Sequence, residues 1–406
     1  MGAFQKKDFS YIRCCIVTFL ILFLSSSFVV VFDMLSSAAT IALWILTALI
    51  IMFDLKGVFT KKSLLLFVTL IGLMWFSNVV NGEPVRVAIN VTVGIVVAFL
   101  YINAYRYQKF TSAFSSIMLV LSIISVVAFL AYVLLPNLGN YFLVQYRDGR
   151  WINNLYIHVN VKHFTRNCGM FWEPGAYGVF LLLALSLEIT KDKLNIKNIL
   201  IYVITLVTTF STLSFIALAL LMIYFVFDRK NFGTKARNNI ILAMALVIVV
   251  AVANYEYLFV GVNSVFGKIT YFLNGEKSVS AAARYWSLIK PIEAFVRSPL
   301  WGIGYEALKQ SAMGVSAGIV TCTTLNWFGV YGLIFGMIML TGFIKFSRML
   351  GKTWFKTLFF IGFLFFITMT EDFIHNSFFY IIVAYGYDQT SRYICGSCAY
   401  PLNTND

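Results

Sequence analysis

An all-helical integral membrane protein is the fold class this chain predicts, and three observations carry it. Of its 406 residues, 60% are hydrophobic and only 12% are charged, with a mean hydropathy of +0.84, more apolar surface than a soluble core can use. Apolar runs long enough to cross roughly 30 Å of hydrocarbon recur from residue 12 to residue 387. The remaining charges stand between these runs rather than on one soluble face, so a net charge of +14 orients the chain in a bilayer and does not call for nucleic acid. Residues 1–406 read as one polytopic domain.

In chain order, apolar runs and charged punctuation give spans at 12–32, 36–53, 63–80, 85–104, 111–135, 174–190, 198–210, 212–228, 239–254, 315–344, 354–370 and 373–388, about twelve transmembrane helices. The first has Lys6 and Lys7 ahead of it and Arg13 at its start, and no small-residue cleavage site after it, so it reads as a retained helix. The stretch Ile199–Phe227 is the decisive one. As a single helix it would be about 45 Å long, too long to cross without strong tilt; the alternative is two short helices broken at Thr208–Thr212. With two, twenty of the 31 basic residues fall on the cytoplasmic side, nearly all in short segments, as the positive-inside rule requires. Both termini are then cytoplasmic.

Ten of the other eleven basic residues fall in two large external loops, about 137–173 and 255–314. Positive charge avoided elsewhere on the outside and gathered here points to an anionic ligand. The second loop carries an amphipathic helix over Ala281–Arg297, in which Tyr285, Leu288, Ile292 and Phe295/Val296 recur at helical spacing and Pro291 interrupts. Arg284 opens this helix, a turn at Ser298–Gly304 ends it, and Trp286 and Trp301 suit the outer interface.

Arginine presents a planar, always-charged fork of donors that grips phosphate. Arg147, Arg150, Arg166, Arg284 and Arg297 are therefore candidates for a diphosphate clamp, each of them equally explicable alone as a loop charge or a headgroup contact. Tyr285 and His375 join the candidate diphosphate- or glycan-binding set, although His375 could equally cap its helix. Glu173 precedes Pro174-Gly175 at the outer edge of a span, where a carboxylate meets the positive end of a helix dipole. It could also pair with Arg166, or accept a proton from a sugar hydroxyl. Of His158 and His163, the second lies between Lys162 and Arg166 and is the better base. No metal-binding spacing, Walker loop, serine elbow or dinucleotide fingerprint is found, so neither metal nor cofactor is expected. Cys395-Gly-Ser-Cys398 reads as two tail thiols, and no disulfide framework is expected.

Several segments taken together resemble the O-antigen polymerase and ligase group, multi-span enzymes that assemble surface polysaccharides on a polyprenyl carrier. Gly169-Met-Phe-Trp-Glu-Pro-Gly-Ala176 is similar to the family's G-x-x-x-E-P stretch. The Thr/Ser-rich break at 208–214, Arg284-Tyr-Trp-Ser with the downstream Ser298–Gly304, and Leu325–Gly332 at the opening of a span follow in the family's order over residues 140–345. The resemblance implies a metal-independent glycosyltransferase of the bacterial cytoplasmic membrane. Its donor would be a glycan on undecaprenyl diphosphate and its acceptor a sugar hydroxyl of another lipid-linked repeat unit, with membrane lipids, a chain-length regulator and a flippase as further partners. The family's arginines map onto Arg166 or a neighbour and onto Arg284, with Glu173 or His163 assisting deprotonation. The ligase branch carries His-Asn before the span that here opens near Thr321–Asn326; this chain has no histidine there, which favours polymerase over ligase. A ligase acting on a lipid or protein acceptor is the first alternative. The second is a transporter or flippase, against which stand unrepeated halves and Glu188 as the main acidic residue able to enter a span.

Overall fold

A computed structural model describes residues 2–55, 59, 61–135, 143–145, 151–153, 166–191, 194–227, 238, 279–316, 318–351, 353–369 and 371–388. The helices run α1 Gly2–Ser26, α2 Phe28–Val31, α3 Ser37–Met52, α4 Lys61–Val80, α5 Val85–Ala104 and α6 Tyr107–Leu134. After the first large loop come α7 Pro174–Ile189, α8 Ile196–Thr208 and α9 Thr212–Phe227. The second large loop holds α10 Val279–Arg297 and α11 Tyr305–Ser316, and α12 Thr323–Gly351, α13 Trp354–Thr368 and α14 Ser377–Tyr387 follow it. The expected helical architecture holds with one addition. Leu143–Gln145 (β1) pairs antiparallel with Trp151–Asn153 (β2) inside the first loop.

Five of these helices are long and apolar enough to cross a membrane: α1, α4, α5, α6 and α12. Six shorter apolar helices, α3, α7, α8, α9, α13 and α14, accompany them, so the chain has the build of a multi-pass membrane protein. The outward faces of α3, α4 and α6 remain apolar, with Ile41, Ile45, Leu65, Val68 and Val127 exposed, as surfaces that meet lipid do. The expected span at 239–254 lies outside the described residues. The run taken as a span at 315–344 is divided: α11 ends at Ser316, Gly318 turns the chain with φ +75°, and α12 starts at Thr323. The break at Thr208–Thr212 is present as expected, with Phe210 at φ 45° separating α8 from α9.

α14 is almost entirely buried and packs chiefly against α12 and α5. Glycine permits its close approach on two sides. A side chain at Gly94 of α5 would meet Ser377 and Tyr380, and Gly386 of α14 lies against the backbone of Gly342 in α12. Such small-residue crossings are how helices pack where lipid removes the hydrophobic drive. At one end of the bundle, Arg13 holds Asp54 through Nε at 2.9 Å and Nη2 at 2.6 Å, and Tyr105 donates to the same carboxylate at 3.1 Å. Lys191 and Ser115 meet the buried Glu188 near the foot of α7.

At the other end, α10 runs unbroken through Pro291, contrary to the expected interruption. The face it packs inward carries small residues, Ala283, Ser287, Pro291 and Ala294, with the Pro291 backbone seated on Gly329 of α12. Tyr285, Ile292 and Val296, three positions of the recurring apolar stripe, are exposed, as an interfacial helix requires. The turn after α10 is wedged into α12. At Gly332 (φ 82°, ψ −175°) the α12 ladder opens, and its groups turn to the turn instead: Leu333 N–H donates to Pro299 O at 2.7 Å, while Gly329 O and Val330 O accept from Ile303 and Gly304. Ser77 of α4 fastens the joint by donating to Trp301 O at 2.7 Å. These bonds fix the second loop's helix against the bundle.

Candidate active site

Four connections converge at the end of the bundle where α7 begins. The segment 166–173 enters first. Gly169, at φ +52°, turns over the face of Tyr177, and Asn167 ties the turn by accepting from Gly169 N at 2.9 Å and donating to Ser125 and Thr208 hydroxyls. Phe28 N–H donates to Met170 O at 3.0 Å, so the end of α1 and the start of α2 border the same place.

Glu173 is the residue before α7, extended at φ −157° and ψ 163°, with Pro174 in the first turn as the residue order predicts. Its side chain makes no capping hydrogen bond. The structural role open to it, accepting from its own helix, is therefore not taken up. Instead its carboxylate lies beside that of Glu371, from the connection between α13 and α14, and both turn toward Gly175 in the first turn of α7. Trp172 and Arg284 are the other polar groups acting on Glu371.

The connection that carries Glu371 is held from several directions. Thr323 donates to Glu371 O at 2.7 Å and accepts from Phe373 N at 2.9 Å. Asn376 caps α14 by accepting from Phe378 N, and reaches across to Ser25 O and Ser26 Oγ of α1. Glu371 itself is 2% exposed, and its Oε1 has no hydrogen-bond partner. Burial first, and the charge of Glu173 second, push its carboxyl well above the ordinary carboxylate range, with Arg284 opposing. Two carboxylates this close, at a helix N-terminus and near one guanidinium, are an arrangement for holding and passing a proton.

The expected site residues divide. Glu173 lies beside Glu371, and Arg284, exposed near the start of α10, is near enough for its charge to act on Glu371. Arg166 does not pair with Glu173 among the described residues; its Nε donates to Thr209 O at 3.2 Å, closing the break after α8. Arg297 is exposed in the last turn of α10, about 20 Å along a continuous helix from Arg284, so the two cannot close on one diphosphate. Tyr285 is 47% exposed and packs edge-on to Trp286 at 5.3 Å. His375 does not cap α14, since Asn376 does; its Nε2 is 3.1 Å from Tyr331 Oη and its ring lies 4.5 Å from that of Tyr305. Tyr305 in turn donates to Asp372 at 2.7 Å, and Lys309 lies over the Tyr305 ring at 4.4 Å. Arg147, Arg150 and His163 lie outside the described residues.

Glu371 was not among the residues the sequence singled out for chemistry. Its only signal was its place beside Asp372 at the edge of an apolar run, within reach of no motif. Comparison with family models, with curated proteins and with solved structures finds no match to this chain.

Proposed function

We propose that the chain is a polymerase of lipid-linked oligosaccharides, a metal-independent glycosyltransferase that joins polyprenyl-diphosphate-linked repeat units into a surface polysaccharide. The observation that carries the reading is the meeting of the Glu173 and Glu371 carboxylates at the head of α7, at one end of an apolar bundle, with Arg284 near enough for its charge to act on Glu371. In this reading that end is the outer face of the cytoplasmic membrane. About twelve spans, with α8 and α9 as two crossings and both termini inside, keep the basic clusters at 229–237 and 345–356 on the cytoplasmic side.

The acceptor hydroxyl attacks the anomeric carbon of the donor. The bond from that carbon to the diphosphate oxygen breaks, and its electron pair leaves with the diphosphate. Arg284 meets the departing charge, where a fork of donors is worth most. Glu173 takes the hydroxyl proton. The exposed apolar stripe of α10 is suited to lie along the interface beside the lipid tail.

The test is a reaction of purified protein with synthetic diphosphate-linked repeat units. A product ladder is expected from the wild type and single repeat units only from Arg284→Ala. Polymer of normal length from Arg284→Ala would exclude the second loop from the chemistry, and ladder formation that stops on adding a chelator would overturn the metal-free mechanism. Polysaccharide moved to a different lipid or protein acceptor, with no ladder, would identify a ligase instead.

A further inference from the structure

We propose that Glu371 is the proton-bearing partner of Glu173: as a neutral acid it donates to the Glu173 carboxylate and aims that carboxylate at the acceptor hydroxyl. The proposal deepens the glycosyl-transfer reading and rests on it for the role of Glu173.

The geometry makes the assignment. Glu371 is the buried member, with one oxygen unpartnered, while Glu173 is half-buried at the edge of the same site. A buried carboxylate with a bare oxygen and a like charge beside it is costly unless it keeps a proton. Once protonated it has one O–H to give, and Glu173 is the neighbouring acceptor. Gly175 leaves the space in which the two meet, since a side chain there would strike Glu371 Oε1 and stand 3.3 Å from Glu173 Oε1.

The charged groups around the pair fit one shared proton. Among the described residues Arg284 of α10 is the cation acting on Glu371, and the N-terminus of α7 adds its own partial positive charge. Among the described residues one negative charge on the pair is thereby matched, and a second is not. Asp372, the next residue, is turned away to Tyr305, with Lys309 of α11 on that side, and His375 faces Tyr331. When Glu173 takes the acceptor's proton the pair holds two protons, and one returns to water as the product leaves. Glu371 acts through Glu173 and is a positioning residue.

The test uses the full-length protein in lipid nanodiscs and two readouts. The first is infrared spectroscopy in heavy water, which reports the carbonyl stretch of a protonated carboxylic acid. The wild type shows this band at neutral pH and Glu371→Gln lacks it. The second is polymerisation with synthetic diphosphate-linked repeat units. Glu371→Gln, which keeps a neutral donor, stays within about threefold of wild type, whereas Glu371→Ala loses on the order of 10²-fold in kcat with KM little changed, and Glu173→Gln is at least as impaired. A band that survives in Glu371→Gln, or wild-type turnover by Glu371→Ala, would overturn the proposal. A wild type that carries the band, loses it in Glu371→Gln and polymerises nothing supports the proton-sharing pair and sinks the polymerase reading. A wild type that polymerises without the band sinks the pair alone.

Discussion

Gly175→Ala separates the folding of this protein from its chemistry. Position 175 is in the first turn of α7, and replacing glycine by alanine inside a helix ordinarily gains up to about 1 kcal/mol. The added methyl, however, overlaps Glu371 Oε1 and comes to 3.3 Å from Glu173 Oε1. The nearest atom is the far end of a side chain, so the carboxyl can yield. To reach ordinary contact it must retreat by about 1 Å, a displacement that at a reacting centre can cost roughly 10²-fold in rate. The variant is expected to melt in detergent at or slightly above the wild-type temperature while its rate of ladder formation with synthetic repeat units falls about 10²-fold. Unchanged turnover in a well-folded Gly175→Ala would refute the reasoning that these two carboxylates must meet.

Four other outcomes follow from the structure. Gly332→Ala forces a side chain into a backbone conformation reserved for glycine and against the Leu300 carbonyl; roughly 1–3 kcal/mol of strain, plus the overlap, should appear as a lowered detergent-denaturation midpoint. Arg13→Ala strands the buried Asp54 and is expected to cost about 3 kcal/mol by the same measurement, with Arg13→Lys recovering only part because the two-pronged contact is lost. Stability should fall as pH rises. Because the Glu371 pKa is raised by folding, the folded protein keeps a proton that the unfolded chain releases, so its contribution is complete below the ordinary carboxylate range and disappears as pH climbs through the raised value; Glu371→Gln should flatten that dependence in pH-dependent melting. Finally, Arg297→Ala is expected to polymerise within about threefold of wild type, since some 20 Å of helix separates it from Arg284; a loss as deep as that of Arg284→Ala would restore it to the site.

Composition and periodicity made the helices legible, because a membrane span must satisfy its backbone internally and advertise itself as an apolar run. The Thr208–Thr212 break was legible too, since charge balance needed it. Packing was not. In α10 the regular recurrence of Tyr285, Leu288, Ile292 and Val296 marks a helix correctly, yet the face turned to the protein is the one with Ala283, Ser287 and Ala294, because small residues admit close backbones and large ones are welcome in lipid. The opening of α12 at Gly332 has no local signature, as the groups it frees are taken by a turn some thirty residues upstream in sequence. At the site, Arg284 stands out at the start of an amphipathic stripe and Glu173 beside a helix-starting proline. Glu371 does not, because what makes it matter is a neighbour far away in the chain and close in space.

That distance along the chain has a consequence for biosynthesis. Glu371 is made 198 residues after Glu173, after every other described element except α14. At about 5–20 residues per second, some 10–40 s of synthesis separate the two. During that interval α7 can be inserted with Glu173 at its head and no partner beside it. Assembly of the pair waits for α14 to slot between α5 and α12 past Gly94 and Gly342, so the last of the described helices to be made is the one that completes the pair. A nascent or truncated chain would then be inert toward lipid-linked sugars, and competence would be a property acquired in a single late docking event.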